Sequence, residues 1–423
     1  LFRSASTNIP TIGVSPQYLQ SSSTPSSTTD GFIIKYNPAS QTVWRTYLGA
    51  SNDPASAALT DGIRDLDFDS SNELVVVGFS SGSNFPNIVN GNSTNYALVG
   101  TKPDATVTRF SSSGQIKYSS FFGGNGYDYY TSVKCKNNKV YLTGVRDVVG
   151  AGFPLKNSGN WYYFTGTSGL SDCVYAVMDN KDSLLHLTYL QGNSNTLGLD
   201  LEIDNANKVY ISGLTRSSIL PSSVIQPSLT YVENFKGQSD YFIYALEENN
   251  TNLIWATNVG GTNDEGFNFG KLSGYIDINS QNNLHIVGTT YSNAQFPLFN
   301  GSGVPYFDAT QNGNSDASIT RFKLVPINGL TEIKEENVTK NKILVYPNPT
   351  NGNLNIQFYA DQNKNSELVV KNLLGQTVKT FQINVVSQNN LISVDCNDLP
   401  NGTYFINILE LKEFNHVIKF LKY

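Results

Sequence analysis

Three histidines and three cysteines are the side chains of this 423-residue chain with the widest chemical reach. Catalysis needs such groups to converge on partners that tune their pKa. His186 (LLHLTYL) and His285 (LHIVG) stand inside alternating apolar segments, and His416 lies near the C-terminus. Each reads as a strand residue rather than a base. No G-x-S-x-G elbow, H-E-x-x-H pair or phosphate loop is present. No catalytic residue is assigned, and the chain is expected not to be an enzyme. Cys135, Cys173 and Cys396 read as small buried hydrophobes, with a Cys135–Cys173 disulfide as the alternative; no pair has zinc-site spacing.

Oxygen donors offer a second kind of chemistry. Gly123–Asp128 (GGNGYD) fits the G-G-x-G-x-D calcium motif, which works as stacked tandem turns. Here the related turn recurs only once per repeat, as GGTNDE at 260–265, so a strand-connecting loop is expected instead. Asp69…Asn72, Asp204…Asn207 and Asn279…Asn282 read as Asx caps of tight turns. No metal ligand is assigned and no cofactor is required, calcium being the one left open. Lys35, Arg109 and Arg321 share one repeat position that Val177 and Ala245 occupy elsewhere; a solvated or sheet-bridging cation is expected there. Aromatic rings with nearby polar groups suit sugars or a protein partner. Trp161, Tyr162 and Tyr163 (followed by Phe164), and Tyr127, Asp128 and Tyr129, are the candidate ligand-binding residues, with Tyr306 and Phe307 in a third cluster. Filling gaps between sheets is the competing role for these rings.

The elements that would hold these residues repeat. Strand-like segments open at Asp30 (DGFIIKY), Asp104 (DATVTRF), Asp172 (DCVYAVM), Asp240 (DYFIYAL) and Asp316 (DASITRF), spaced 74, 68, 68 and 76 residues apart. Second strands end at Gly49, Gly123, Gly192 and Gly260; third strands run into polar turns such as DLDFDSSNE; fourth strands end at Gly78, Gly144, Gly213 and Gly288; proline signposts follow, as at Phe85-Pro86 and Phe153-Pro154. Four short strands per unit predict antiparallel sheets, and radial repetition would bury both faces of each. The expectation is a β-propeller over 1–325, with an array of sandwiches as the alternative. By strand parity, the long segments after each proline (87–103, 155–171, 222–239 and 298–315) share one end with loops such as 124–131, which predicts one elaborated face.

The pattern D-x-h-h-x-[KR]-[FY], Y-L-G-G, D-x-x-x-N-x-h-x-h-x-G and F-P resembles the SBBP β-propeller repeat of bacterial extracellular proteins. The resemblance implies a fold and little about activity. Ile9-Pro10 takes the Phe-Pro position of a unit whose start is missing, and 316–324 supplies one strand of another. Four complete blades and two partial ones are therefore expected, with further units upstream.

The repeat stops after Leu324. Residues 326–342 are polar and read as a linker. Alternating segments with Pro-Asn-Pro and Pro-Asn-Gly turns over 343–423 predict a small immunoglobulin-like β-sandwich. Tyr346, Pro347, Asn348, Pro349 and Gly352 (YPNPTNG), Leu374, Gly375 and Gln376 (NLLGQTV), Leu399, Pro400, Gly402 and Tyr404 (LPNGTYFI), and Lys419 and Lys422 (IKFLKY) stand in order at the C-terminus. They resemble the type A sorting domain of the type IX secretion system of Bacteroidetes. That resemblance implies export through the periplasm and across the outer membrane, handling by a translocon and an outer-membrane shuttle or sortase, and removal of the domain in the linker.

Composition agrees with an exposed, turn-rich β-protein. Charged residues make up 15%, net charge is −6, and 23 Phe and 24 Tyr accompany 35 Gly. No cationic patch suits nucleic acid, and no apolar run approaches the roughly 18 residues of a membrane helix. The functional expectation is an exported binding or adhesion protein. A polysaccharide-degrading propeller enzyme and a structural segment of a larger surface adhesin are the alternatives.

Overall fold

A computed structural model describes residues 2–4, 18–20, 29–52, 61–91, 93–147, 152–159, 161–165, 170–190, 192–218, 231–247, 252–266, 273–298, 310–311, 313–324, 343–346, 350, 352–360, 362–387, 389–409 and 418–422. The linker over 326–342 and the Tyr306–Phe307 cluster lie outside them. The chain divides into two compact units, one of Leu1–Gln226 and Val232–Leu324, the other mainly of Val325–Tyr423.

The first unit is a succession of antiparallel sheets. β1 (Phe2–Ser4), β2 (Asp30–Tyr36) and β3 (Thr42–Leu48) form the first. β4 (Asp61–Phe68), β5 (Leu74–Ser80), β6 (Asp104–Phe110) and β7 (Ile116–Phe122) form the second. β8 (Tyr129–Lys136), β9 (Lys139–Asp147), β10 (Ser171–Asp179) and β11 (Leu184–Leu190) form the third. β12 (Thr196–Ile203), β13 (Val209–Thr215), β14 (Asp240–Leu246) and β15 (Leu253–Val259) form the fourth, and β16 (Tyr275–Ile278), β17 (Asn283–Thr290) and β18 (Asp316–Lys323) the fifth. Among the described residues of the first unit there are thus three four-stranded and two three-stranded sheets, where four complete blades and two partial ones were expected. The difference has a physical cause. Each four-stranded sheet opens with the third strand of one sequence unit and closes with the second strand of the next, so units and sheets are offset by two strands.

Neighbouring sheets touch through their first strands. The Ser132 hydroxyl on β8 lies 3.0 Å from Asp65 of β4 and 2.9 Å from Asp200 of β12 and can donate its one proton to either, while the amides of Val133 and Ile276 donate to Asp65 (2.9 Å) and Asp200 (3.0 Å). Polar side chains on these strands therefore hold sheet to sheet.

The repeating glycine of the second strand has a local reason. Pairing of β4 with β5, β8 with β9 and β12 with β13 skips one residue beside Gly78, Gly144 and Gly213. At those glycines a Cβ would stand 1.9, 2.2 and 1.8 Å from the facing backbone carbonyl. The bulged strand approaches so closely that only glycine fits.

The outer edge of each sheet is covered. Thr46, Ser120, Thr188 and Thr257 accept the amides of Gln20, Tyr96, Phe164 and Glu233 at 2.9, 2.9, 2.7 and 2.9 Å. The next strand residue then donates to that loop residue's carbonyl, as Tyr189 does to Phe164 at 3.3 Å. The described parts of the long loops therefore run down the last strands and occupy edges that would otherwise template aggregation. They do not simply crown one end, as strand parity had implied.

The second unit packs two sheets on one core. β19 (Ile343–Tyr346), β20 (Asn353–Tyr359) and β23 (Asn389–Asp395) form one; β22 (Thr377–Val385), β21 (Lys364–Lys371), β24 (Gly402–Ile408) and β25 (Ile418–Lys422) form the other. Leu354, Ile356 and Phe358 meet Leu368, Val370, Ile406 and Phe420 between them. This is the expected β-sandwich.

Candidate functional site

The C-terminal motifs serve the sandwich as turns and pins. Thr350 donates its amide to Leu421 at 2.8 Å and its hydroxyl to Asn353 O at 2.7 Å, tying the start of the unit to its last strand. A Cβ at Gly352 would fall 1.8 Å from Asn397 Oδ1. In the Asn372–Gln376 turn, Asn372 Oδ1 accepts the amides of Leu374 and Gln376 at 3.0 Å each, and Gly375 takes a φ of 77°. That turn pushes Leu373 and Leu374 outward, 71% and 83% exposed. Burial of a leucine is worth about 2 kcal/mol, so two bare leucines on a tip are a ready contact for a partner. Leu399 is buried, Pro400 O accepts the Tyr404 hydroxyl at 2.7 Å, and Tyr404 stacks on Phe420 at 5.5 Å. In β25, Lys419 is exposed and Lys422 is buried. Pro347, Asn348 and Pro349 lie outside the described residues, and Tyr346 belongs to β19.

The aromatic candidates of the first unit are held apart. Tyr127, Asp128 and Tyr129 enter β8 at the end where Asp147 closes β9; Lys102 Nζ donates to the Tyr127 hydroxyl at 3.0 Å, and Tyr129 packs on Phe79 and Arg64. Asp128 is buried and accepts the amides of Gly124 (2.6 Å) and Asp147 (3.1 Å). The G-G-x-G-x-D segment is thus a capped connection between sheets and not a stacked calcium turn. Trp161 lies near the other end of β9, its ring 5.3 Å from Lys139 Nζ. It covers His186 at 5.2 Å, with Tyr163 at 6.0 Å, and Tyr162 is buried. The two clusters therefore form no single surface.

His186 serves packing. It is 1% exposed, its Nε2 lies 2.8 Å from Tyr162 O, and burial lowers its pKa to about 4, so the ring is neutral. Cys135, Cys173 and Cys396 are free thiols, and burial pushes Cys135 and Cys173 up to about 12. The Cys135–Cys173 disulfide is not formed, because β9 separates the two strands. Cys173 and Cys396 are buried as expected, whereas Cys135 is half-buried. The Asx caps stand as expected: Asp69, Asp204 and Asn279 each accept two amides through Oδ1, and Asn72, Asn207 and Asn282 take φ near 60°.

Sequence reasoning missed a cavity of about 320 Å³ at the tight-turn end, lined in part by Phe68, Arg109, Cys135, Lys136, Asn138 and Lys139. Arg109 forms its buried floor, paired with Asp69 at 2.5 Å and Asp182 at 2.6 Å. It joins the second sheet to a turn of the third. Lys35 likewise donates to Ser112 O at 3.0 Å across the preceding pair of sheets. Their shared repeat position was the available signal.

Residues 344–422 match the family "Secretion system C-terminal sorting domain". The repeats carry no match to the SBBP family. Nothing among the curated proteins matches the chain. Among solved structures, sucrose-6-phosphate hydrolase from Lactobacillus gasseri is 10% identical with a TM-score of 0.28, covering 90% of this chain and 77% of the other. The extracellular domain of a protein described as a one-component system from B. thetaiotaomicron is 11% identical with a TM-score of 0.20 (93% and 53% covered). Dimeric latent PorU from Porphyromonas gingivalis is 10% identical with a TM-score of 0.15 (91% and 35% covered). At these scores the structural likenesses carry no argument. The sorting domain does: the protein is exported by type IX secretion to the cell surface or the outside. Among the described residues, no helix is long and apolar enough to cross a membrane.

Proposed function

We propose that the chain is an exported binding or adhesion protein whose repeat unit is a β-propeller and whose last domain is its passport. The sorting domain carries the export half of this reading. Repeated sheets in contact through their first strands support the propeller. A translocon reads 343–423, and a shuttle or sortase acts on it, with the Leu373–Leu374 tip and Lys419 as exposed contacts.

The binding half rests on the cavity end of the second and third sheets. Asparagine amides, two lysines and the ring of Phe68 line it, and the Trp161 ring lies 5.3 Å from one of those lysines, Lys139. This mixture suits a glycan or a polar peptide. A walled-in neutral histidine and thiols whose pKa burial raises favour binding over catalysis. The experiment is a glycan-array and cell-envelope pull-down screen with the wild type and a Trp161→Ala/Asn138→Ala variant. Capture by the wild type and loss in the variant supports the reading. Equal capture by both overturns the site, and turnover of a polysaccharide overturns the class.

A further inference from the structure

The cavity at the tight-turn end is floored by a cation with one nitrogen unengaged. Arg109 is 2% exposed. Its Nη1 donates to Asp69 at 2.5 Å and its Nε to Asp182 at 2.6 Å. Glu73 lies 3.8 Å from Nη1 and is itself answered by Lys117 at 2.5 Å. Among the described residues no protein atom accepts from Nη2, although the residue lines the cavity and Nη2 is not closed off from solvent. A guanidinium holds five N–H donors in one fixed plane. The two acids lock that plane and leave Nη2 to something else.

The other polar groups of the lining are weighted the same way. Asp69 is the one carboxylate among the described lining residues. Its Oδ1 accepts the amides of Ser71 and Glu73 at 2.9 Å each, and its Oδ2 is taken by Arg109. Lys136 and Lys139 line the same cavity. Lys136 Nζ donates to Asp204 O at 2.6 Å. Lys139 Nζ lies over the Trp161 ring at 5.3 Å and meets no acceptor oxygen among the described residues. Asn138 accepts the Ser70 hydroxyl at 3.2 Å through Oδ1, which leaves its amide N–H groups for a ligand. Three cations thus line a cavity whose one carboxylate is fully engaged, in a chain of net charge −6. Open donors and positive charge together call for an anion with several acceptor oxygens. Guanidinium and ammonium groups take a carboxylate or a sulfate.

Phe68 adds an apolar surface. Its ring lines the cavity and is 52% exposed. A volume of about 320 Å³ stands at the small end of ligand sites, with room for a sugar unit. We propose that this cavity binds an acidic sugar, its carboxylate or sulfate on Arg109 Nη2 and Lys139 Nζ, its ring on Phe68 and its hydroxyls on the Asn138 amide. The assignment rests on the cavity being the binding site proposed above and narrows its ligand to an anionic glycan. The acids fix the arginine before a ligand arrives, so little ordering is lost on binding there.

The test is calorimetric titration of the full chain with galacturonate oligomers, their neutral methyl esters, a sulfated oligosaccharide of the same length and a glutamate peptide. The tighter of the two anionic sugars binds wild type at least about tenfold more strongly than the ester, and which of them it is tells carboxylate from sulfate. Its affinity falls as salt rises. Lys139→Gln and Arg109→Lys each narrow the gap between anionic and neutral sugar. Lys139 is only half-buried, so the test stands even where the arginine variant fails to fold. Equal binding of ester and anionic sugars overturns the charge assignment and leaves a neutral-glycan site in place. A glutamate peptide that binds as tightly as the better sugar overturns the sugar assignment. An unchanged preference in Lys139→Gln places the anion elsewhere on the chain and overturns the site. Absence of binding by every probe at about 10 mM overturns both this proposal and the cavity as a binding site.

Discussion

Single residues stitch this molecule together across sheets. Arg109 is 2% exposed and pairs with the half-buried Asp69 of its own sheet and the buried Asp182 of the next. Removing one partner of such a set leaves the others desolvated and unpaired. Arg109→Ala is therefore expected to cost about 3–5 kcal/mol, read from the urea midpoint of the first unit. An unchanged midpoint would mean that Asp69 and Asp182 find other partners. His186 works through the opposite charge preference. Its folded pKa of about 4 lies below the ordinary 6.5, so the unfolded chain binds the extra proton between those values. The stabilisation is full above pH 6.5 and is lost as pH falls toward 4, by at most about 3 kcal/mol. His186→Gln should flatten that part of the melting-temperature profile relative to wild type. The buried acids Asp104 and Asp240 act with the reverse sign, because their raised pKa values favour the folded state at low pH. Only the difference between wild type and the His186 variant isolates the histidine.

At the scale of the element, two devices recur: a glycine facing a bulge and a hydroxyl clamping a loop to an edge. Gly144→Ala would drive a Cβ to 2.2 Å from Tyr129 O, which is backbone and cannot swing aside. A loss of at least about 2 kcal/mol is expected, with the melting temperature as readout. Substitution at Gly313, where a Cβ meets nothing within 4 Å and φ is not left-handed, is the control. Both devices were half legible. The glycine at the end of each fourth strand stands out in the sequence, but its reason does not, because the bulge is on a different strand. The hydroxyls in RTYLG, YSSFFG, HLTYLQG and WATNVG are visible too. Their role needs the loop partner, which lies 24 to 26 residues away.

For the whole molecule, the sorting domain makes the sharpest forecast. Deleting 343–423 from the expressed protein should abolish its appearance at the surface and in the medium, with accumulation inside the outer membrane, as followed by fractionation and immunoblot. Surface display of the truncated chain would show that another signal suffices. Exchanging Leu373 and Leu374 for serine leaves the sandwich core intact, because neither residue belongs to it. Reduced export of that variant would identify the exposed tip as a recognition contact.

The chain's own order of residues determined the strand period, the antiparallel class, the tight Asx turns, the split near Leu324 and the sorting motifs. All of these follow from local alternation, turn chemistry or linear motif. Tertiary structure decided which strands share a sheet, since ladder partners are chosen by packing across the repeat boundary. It also set Trp161 and Tyr127 near opposite ends of β9, though sequence places both in loops after even-numbered strands, because the loop bearing Trp161 folds down the edge of β11. And it brought Asp104 to Asp128 and Asp240 to Glu265 out of water. The sequence shows each acid singly, and only the meeting of two sheets makes their burial a shared one.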